Sequence, residues 1–163
     1  MELVDLYDGQ KELTGETVDK KEVPEGKFRL SVHVWITNDQ GKLLVQQRLA
    51  TAHKFPNMWS VTGGSVRAGE SSLVGVLREL SEELGINTTK DEMKFLASYR
   101  RKIDYVDVWL LSKNIDVKDI KVQEDEVQAV KWVTLEEFEK MLDNKEVVRS
   151  SYDYYKLYVK PIF

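Results

Sequence analysis

Residues 63–86 read GGSVRAGESSLVGVLRELSEELGI. Ser71 or Ser72 can cap a helix, Leu73, Val76, Leu77, Leu80 and Leu84 recur at helical spacing, and Gly85 stands where a left-handed residue ends one. At about 100° per residue, Glu79, Glu82 and Glu83 fall within one wedge about 100° wide, with the apolar residues on the other side. One face packs inward and the other presents three carboxylates. That arrangement works against the helix. Like charges three and four residues apart repel by a few tenths of a kcal/mol per pair. Glu82 and Glu83 also lie in the last turn, where the helix dipole disfavours an anion by about 0.3–1 kcal/mol. Local rules tend to be broken at functional sites. A hard divalent cation resolves the conflict, because Mg²⁺ takes oxygen ligands, commonly a few carboxylates with water and substrate phosphate. A bare E-x-x-E-E on a helix is more often a solvated face, so the wider spacing has to decide.

Outward from this helix, the chain alternates strands and helices. Leu3 to Tyr7 reads as a short strand ending at Asp8-Gly9. Residues 14 to 27 are polar, contain Gly15, Pro24 and Gly26, and read as a loop. Phe28, Leu30, Val32, Val34 and Ile36 alternate with Arg29, Ser31, His33, Trp35 and Thr37, which predicts a strand. Asn38 to Gly41 turns the chain and Leu43 to Gln47 returns it. A short strand over 58–62 leads into Gly63-Gly64. Further strands are expected over 95–99, 105–111 and 127–133. Thr134 and Glu137 fit a capping box opening a helix through about Leu142. A last helix is expected over 150–159. The interspersed order predicts an α/β or α+β class with a mixed sheet.

The composition narrows the functions. The chain has 163 residues, enough for one domain with a substantial core. We expect a single domain over 1–163. Apolar residues make up 42% and charged residues 32%, as in ordinary soluble proteins. A net charge of -4 argues against non-specific binding to nucleic-acid polymers, which needs Lys and Arg against phosphates. Small phosphorylated ligands stay open, because a bound cation reverses local charge. The absence of cysteine removes disulfides, thiolate catalysis and zinc-thiolate sites. No apolar run approaches a membrane span, and the start MELVDLYDGQ lacks a signal peptide's basic and apolar regions. A cytoplasmic location without membrane association is expected.

The stretch from Gly64 resembles the Nudix box, G-x5-E-x7-R-E-U-x-E-E-x-G-U with U aliphatic. Gly64, Glu70, Arg78, Glu79, Leu80, Glu82, Glu83, Gly85 and Ile86 fill it without departure. Seven fixed matches arise by chance on the order of 10⁻⁸ at ordinary residue frequencies. The resemblance implies a Nudix-type α/β/α sandwich around a mixed sheet, and Mg²⁺- or Mn²⁺-dependent hydrolysis of a nucleoside diphosphate linked to another group. It further implies that Glu79, Glu82, Glu83 and the Gly63 carbonyl hold the metal, and that Glu70 and Arg78 form a structural salt bridge. Members often carry one more glutamate before a strand with a Trp like Trp132. Counting back points to Glu126 as general base or extra ligand, with Glu124 and Asp125 as alternatives.

A second resemblance covers more of the chain. LSVHVWITNDQGKLLVQQR (30–48) and KFPNMWSVTGG (54–64) look like the Nudix branch related to isopentenyl-diphosphate isomerase. That enzyme uses a cysteine aligned near Gly63 and a metal-binding histidine aligned near Ser65. Both are missing here, and the hydrolase glutamates are intact. The expectation is therefore a hydrolase on an isomerase-like frame, acting on a small phosphorylated substrate. An isoprenoid-diphosphate isomerase-like enzyme and a non-catalytic nucleotide-binding Nudix domain are the competing readings. Other signals are weaker. His33 reads as a packed or hydrogen-bonded histidine, and His53, Arg48 and Lys54 as surface charge before phosphate contacts. Trp35, Tyr105 and Trp109 read as packing before base stacking.

Overall fold

The computed structural model describes all 163 residues. Strand β3 (Arg29–Thr37) forms its spine. It runs parallel to β8 (Asp104–Ser112) along its whole length, from Arg29↔Asp104 to Thr37↔Ser112. Strand β7 (Met93–Arg100) pairs antiparallel with the outer side of β8. The other side of β3 behaves differently. Strand β4 (Leu43–Arg48) meets β3 only at Thr37↔Leu43 and then diverges. Into the gap comes β6 (Thr62–Ser65), paired with β3, while β4 pairs with β5 (Trp59–Ser60) and β9 (Val127–Val133). The mixed sheet is thus split down one seam, in the order β5-β4-β3-β8-β7.

Alternation along β3 feeds two cores. Leu30, Val32, Val34 and Ile36 pack with Val76, Leu80 and Leu84 of α1 (Ser72–Leu84). On the opposite face, Trp35 joins Val106 and Val108 beneath Phe138 and Met141 of α2 (Leu135–Asp143) and Tyr154 and Tyr155 near the C-terminus. A sheet covered on both faces by helices is the α/β/α sandwich anticipated from the box.

Ser71 caps α1 by accepting from the Val74 N–H at 3.2 Å. Gly85 ends it at φ 64°, donating to Ser81 O, and the Ile86 N–H turns back to Leu80 O. The last carbonyls of a helix need donors, and here they come from a distant loop. The Lys121 N–H donates to Leu84 O at 3.0 Å and the Gln123 N–H to Glu83 O at 2.9 Å. The segment ahead of β9 is thereby fastened to the helix end that carries the glutamates. The expected capping box of Thr134 and Glu137 opens α2.

Three local expectations are corrected. Residues 13–19 form a strand, β2 (Leu13–Asp19), paired with β1 (Leu3–Tyr7) in a separate hairpin. Much of β2 is exposed, so no apolar period marked it, and its backbone bonds come from pairing. Gly63 and Gly64 lie inside β6 instead of following a strand. The C-terminal helix shrinks to α3 (Tyr155–Tyr158) between 3-10 turns, because Tyr154 and Tyr155 are drawn into the core under Trp35.

Candidate active site

The seam between β3 and β4 opens into a cleft of about 970 Å³. Both acidic and basic side chains line it: Glu83, Asp125 and Glu126 together with cations including Arg48 and Lys54. Arg48 pairs with Val127, which places it next to the Glu126 turn. Binding sites favour such points where neighbouring strands diverge.

The acidic part of the lining grows from α1. Glu79 and Glu83 are one turn apart and both are buried, 9% and 6% exposed. Their carboxyls share a hydrogen bond, and burial pushes both proton affinities up, Glu83 to about 8. For Glu83 the charges of Glu79 and Glu126 add to the effect of burial, while Gln46 opposes it. Gln46 Nε2 donates to Glu83 at 2.8 Å, and Gln46 Oε1 accepts from Thr62 Oγ1 at 2.7 Å. The glutamine is thereby locked as a donor toward the carboxyl. Gly64 makes room for Glu79, since a Cβ there would collide with the carboxylate. Gly63 is equally constrained, with His33 beside it across the strand pair.

Arg78 organises the surrounding loop. It grips Glu70 through Nε at 2.8 Å and Nη2 at 2.9 Å, and Nη2 also donates to Ser65 O at 2.9 Å. Its Nη1 reaches Glu79 at 2.9 Å and Glu82 at 3.3 Å. These contacts hold Glu70 below the ordinary carboxyl range. The Glu70–Arg78 ion pair expected from the sequence is therefore present. Glu82 stands apart from the buried pair, exposed and held by Arg78 and, at 3.7 Å, by Arg67. Glu126 sits in the turn fastened to the end of α1, close enough for its charge to act on Glu83.

The structure thus brings Gly63, Glu83 and Glu126 to the cleft, with Glu79 buried behind Glu83 and Gly64, while Glu82 does not line it. No three acidic or histidine side chains converge on one point. What converges is the Glu79–Glu83 pair. A divalent cation fits the chemistry of that donor set: every candidate atom is oxygen, and burial raises the proton affinity of both carboxyls.

The basic part of the lining was less legible. Arg48, His53 and Lys54, which read as surface charge in the sequence, line the cleft. His33 also lines it. The Tyr154 hydroxyl accepts from Trp35 Nε1 at 2.8 Å and lies 2.8 Å from His33 Nδ1. Tyr154 has its own proton to donate to Nδ1. Burial, then Arg101, pulls the imidazole down to about 3, so it is neutral. The packed, hydrogen-bonded reading of His33 holds. Trp35, Tyr105 and Trp109 are engaged elsewhere: Tyr105 donates to Asp8 O at 2.9 Å and Trp109 to Ser72 Oγ at 3.0 Å. None of the three lines the cleft. Gln46 went unread because its partners Thr62 and Glu83 lie 16 and 37 residues away in the chain.

A split mixed sheet between helical layers, with a glutamate-bearing helix beside a di-glycine strand, defines a class of hydrolase fold. The Nudix domain family matches residues 27–155. An uncharacterized Nudix hydrolase of Listeria monocytogenes is 33% identical over 150 residues, 91% of this chain and 89% of the relative. The CTP pyrophosphohydrolase of Escherichia coli is 33% identical over 102 residues, 63% of this chain and 73% of that protein. A crystal structure from Deinococcus radiodurans superposes with a TM-score of 0.74 at 22% identity, covering 93% of this chain and 99% of the other. The chain belongs to the Nudix hydrolase family.

Proposed function

We propose that the protein uses Mg²⁺ or Mn²⁺ to hydrolyse a diphosphate linkage in a small nucleoside diphosphate derivative. The observation that carries this reading is the buried Glu79–Glu83 pair, whose Glu83 lines a cleft that also carries cations. Glu79, Glu82, Glu83 and the Gly63 carbonyl are the proposed metal ligands. Glu82 would turn inward from Arg78, its exposure leaving it free to move. The metal, when bound, neutralises phosphate charge and makes a bound water more acidic. Arg48 and Lys54, which also line the cleft, hold phosphate oxygens. Glu126 accepts a proton from the attacking water as the new P–O bond forms and the bridging P–O bond breaks. Two phosphate-terminated products leave. Glu70 and Arg78 keep the loop and helix in register and take no part in the chemistry.

A nucleotide substrate is supported by the relationship to the bacterial CTP pyrophosphohydrolase. The isomerase-like alternative is weakened by Gly63 and Ser65, which supply neither thiol nor imidazole. A non-catalytic binding domain is the remaining competitor, and the complete glutamate set speaks against it. We further propose that residues 1–163 act as one domain in the cytoplasm. No helix is long and apolar enough to cross a membrane. The test is a screen with Mg²⁺ and Mn²⁺ over nucleoside di- and triphosphates, nucleotide sugars and dinucleoside polyphosphates. Phosphate is measured with and without added phosphatase. Metal-dependent release from at least one class is expected, and none from any would refute the hydrolase reading.

A further inference from the structure

The cleft continues past Ser65 into a second recess of about 450 Å³. Lys20, Lys21, Arg29 and Ser65 line both spaces, and Val23 and Ile103 complete the recess. No acidic residue lines it. In a chain of net charge -4, this is a marked local excess of positive charge.

Arg29 is incompletely satisfied. It donates through Nη1 to the Ser65 hydroxyl, while its Nε is shut off from solvent and bonded to nothing. The neighbouring Asp104 does not supply the missing partner. Its two oxygens accept from Arg101 at 2.8 and 2.7 Å, and one also accepts from Ser31 at 2.8 Å. Lys20 has one long ion pair, 3.4 Å to Glu2. That sealed donor leaves Arg29 under-bonded; an anion in the recess meets the part of the guanidinium that lines it, for which a phosphate oxygen is the best-fitting acceptor.

The two lysines are held in place by the N-terminal hairpin, which lies outside the matched family region. Val4 and Leu6 are fully buried. Tyr7 N–H donates to Phe28 O at 2.7 Å, Ala68 N–H to Leu3 O at 2.8 Å and Gly69 N–H to the Asp5 carboxylate at 2.9 Å. The hairpin therefore grips both the start of β3 and the loop before α1. At a strand rise of about 3.3 Å per residue, Ser65 lies roughly 6–7 Å along β6 from Gly63. That offset puts the recess beyond the proposed metal site.

We propose that Arg29, Ser65, Lys20 and Lys21 form a second phosphate subsite, which binds a phosphomonoester beyond the diphosphate that is cut. The substrate class is then a nucleoside diphosphate compound with one further phosphate. That group is either the end of a longer phosphate chain or a phosphate on a distal sugar. The choice of scissile bond rests on the hydrolase reading above; the anion site does not.

Two measurements test it. The first is an NMR titration of ¹⁵N-labelled protein in chelator with inorganic phosphate as the probe. The Arg29 Nε–H and Ser65 amide signals should shift saturably. Lys20→Ser/Lys21→Ser should weaken this binding about tenfold or more. If that double variant does not fold, Lys21→Ser at its exposed position decides in the same way. No saturable shift at tens of millimolar phosphate, or equal binding by wild type and variant, overturns the site even if the enzyme is active. The second measurement compares KM for matched pairs on the metal-loaded enzyme: nucleoside triphosphate against diphosphate, and dinucleotide with against without a sugar phosphate. The lysine variant should change the KM ratio of one pair by about tenfold, and that pair identifies the source of the phosphate. Unchanged ratios in both pairs refute the assignment. An inactive enzyme that still binds phosphate in the first test would count against the hydrolase reading alone.

Discussion

Glu79 and Glu83 show how burial raises the proton affinity of a carboxyl pair. Each is denied water, each faces the other, and Arg78 relieves only Glu79 directly. Glu83 is pushed up to about 8 from 4.5, so the folded protein holds a proton that the unfolded chain releases. Stability from the protonated carboxyl is therefore complete below about pH 4.5 and lost as pH rises through about 8. Thermal melts in chelator should fall in Tm across that window, and Mg²⁺ or Mn²⁺ should restore the loss by replacing the proton. Glu83→Gln should remove most of the pH slope while the fold persists; equal slopes in variant and wild type would contradict this account. Glu82→Gln and Glu83→Gln should each lower kcat by at least about a hundredfold, about 2.7 kcal/mol. Retained activity in both would sink the assigned metal site. Glu126 is the proposed base. Comparing Glu124→Gln, Asp125→Asn and Glu126→Gln under saturating Mg²⁺ should show a loss of about 10²–10⁴ confined to Glu126. A loss confined to a neighbour would move the base there, and three near-wild-type rates would return it to the helix.

Helix α1 does more than display carboxylates. Its start is set by Ser71, its end by Gly85, and its last carbonyls by Lys121 and Gln123. The loop carrying Glu126 is consequently registered against Glu83 by backbone bonds, independent of side-chain packing. On the opposite flank Arg78 joins the helix to β6 through Ser65 O and to the preceding loop through Glu70. Arg78→Ala would leave Glu70 and Glu79 without their cation and free the loop from 64 to 69. We expect a loss of stability above the roughly 1 kcal/mol of a surface bridge and a clear fall in kcat/KM. Unchanged kinetics and an unchanged melt would show that the pair is ornamental. Both caps of this helix were readable in the sequence because each spans only a few residues, whereas the pairing of Glu70 with Arg78 was implied by the resemblance to the Nudix box. The strand β2 was not, because an exposed, polar strand has no periodic signature and exists through its partner β1.

Across the molecule, the decisive feature is the seam where β3 and β4 part. Had the strands stayed paired, a ladder would close the gap between β3 and β4. Instead β6 and β5 take one partner each, and the cleft is lined by several cations as well as acids despite a net charge of -4. Such a mixed lining suits an anionic substrate approaching a cation held on carboxylates. The same geometry bears on isomerase chemistry. Adding and removing a proton at carbon needs a placed acid and base, and the positions near which that branch carries its cysteine and histidine are Gly63, hard against β3, and Ser65, hydrogen-bonded to Arg29. Isopentenyl diphosphate should not be converted to dimethylallyl diphosphate at an enzymatic rate. Product detected by chromatography after prolonged incubation with Mg²⁺ would overturn that expectation.

The ends of α1, the wedge of glutamates and the strand β3 could be read from residues 63–86 and the alternation of residues 28–37. Each depends on neighbours a turn or a pleat away, so local chemistry suffices; the Glu70–Arg78 pair was implied by the resemblance to the Nudix box, and the order of strands in the sheet was not read at all. The partners of those groups could not be read. Gln46 reaches Glu83, Tyr154 reaches His33 and Arg29 reaches Ser65 across separations of 37, 121 and 36 residues. Lys20 and Lys21 come to the cleft through a hairpin that looked like a loop. Hydrogen bonds between distant side chains leave no period in a sequence, because they are set by how the sheet splits and what packs over it. The same glutamates on a lone helix would be a solvated face; the burial that raises Glu83 to about 8 exists only once α1 lies against β3 and β6.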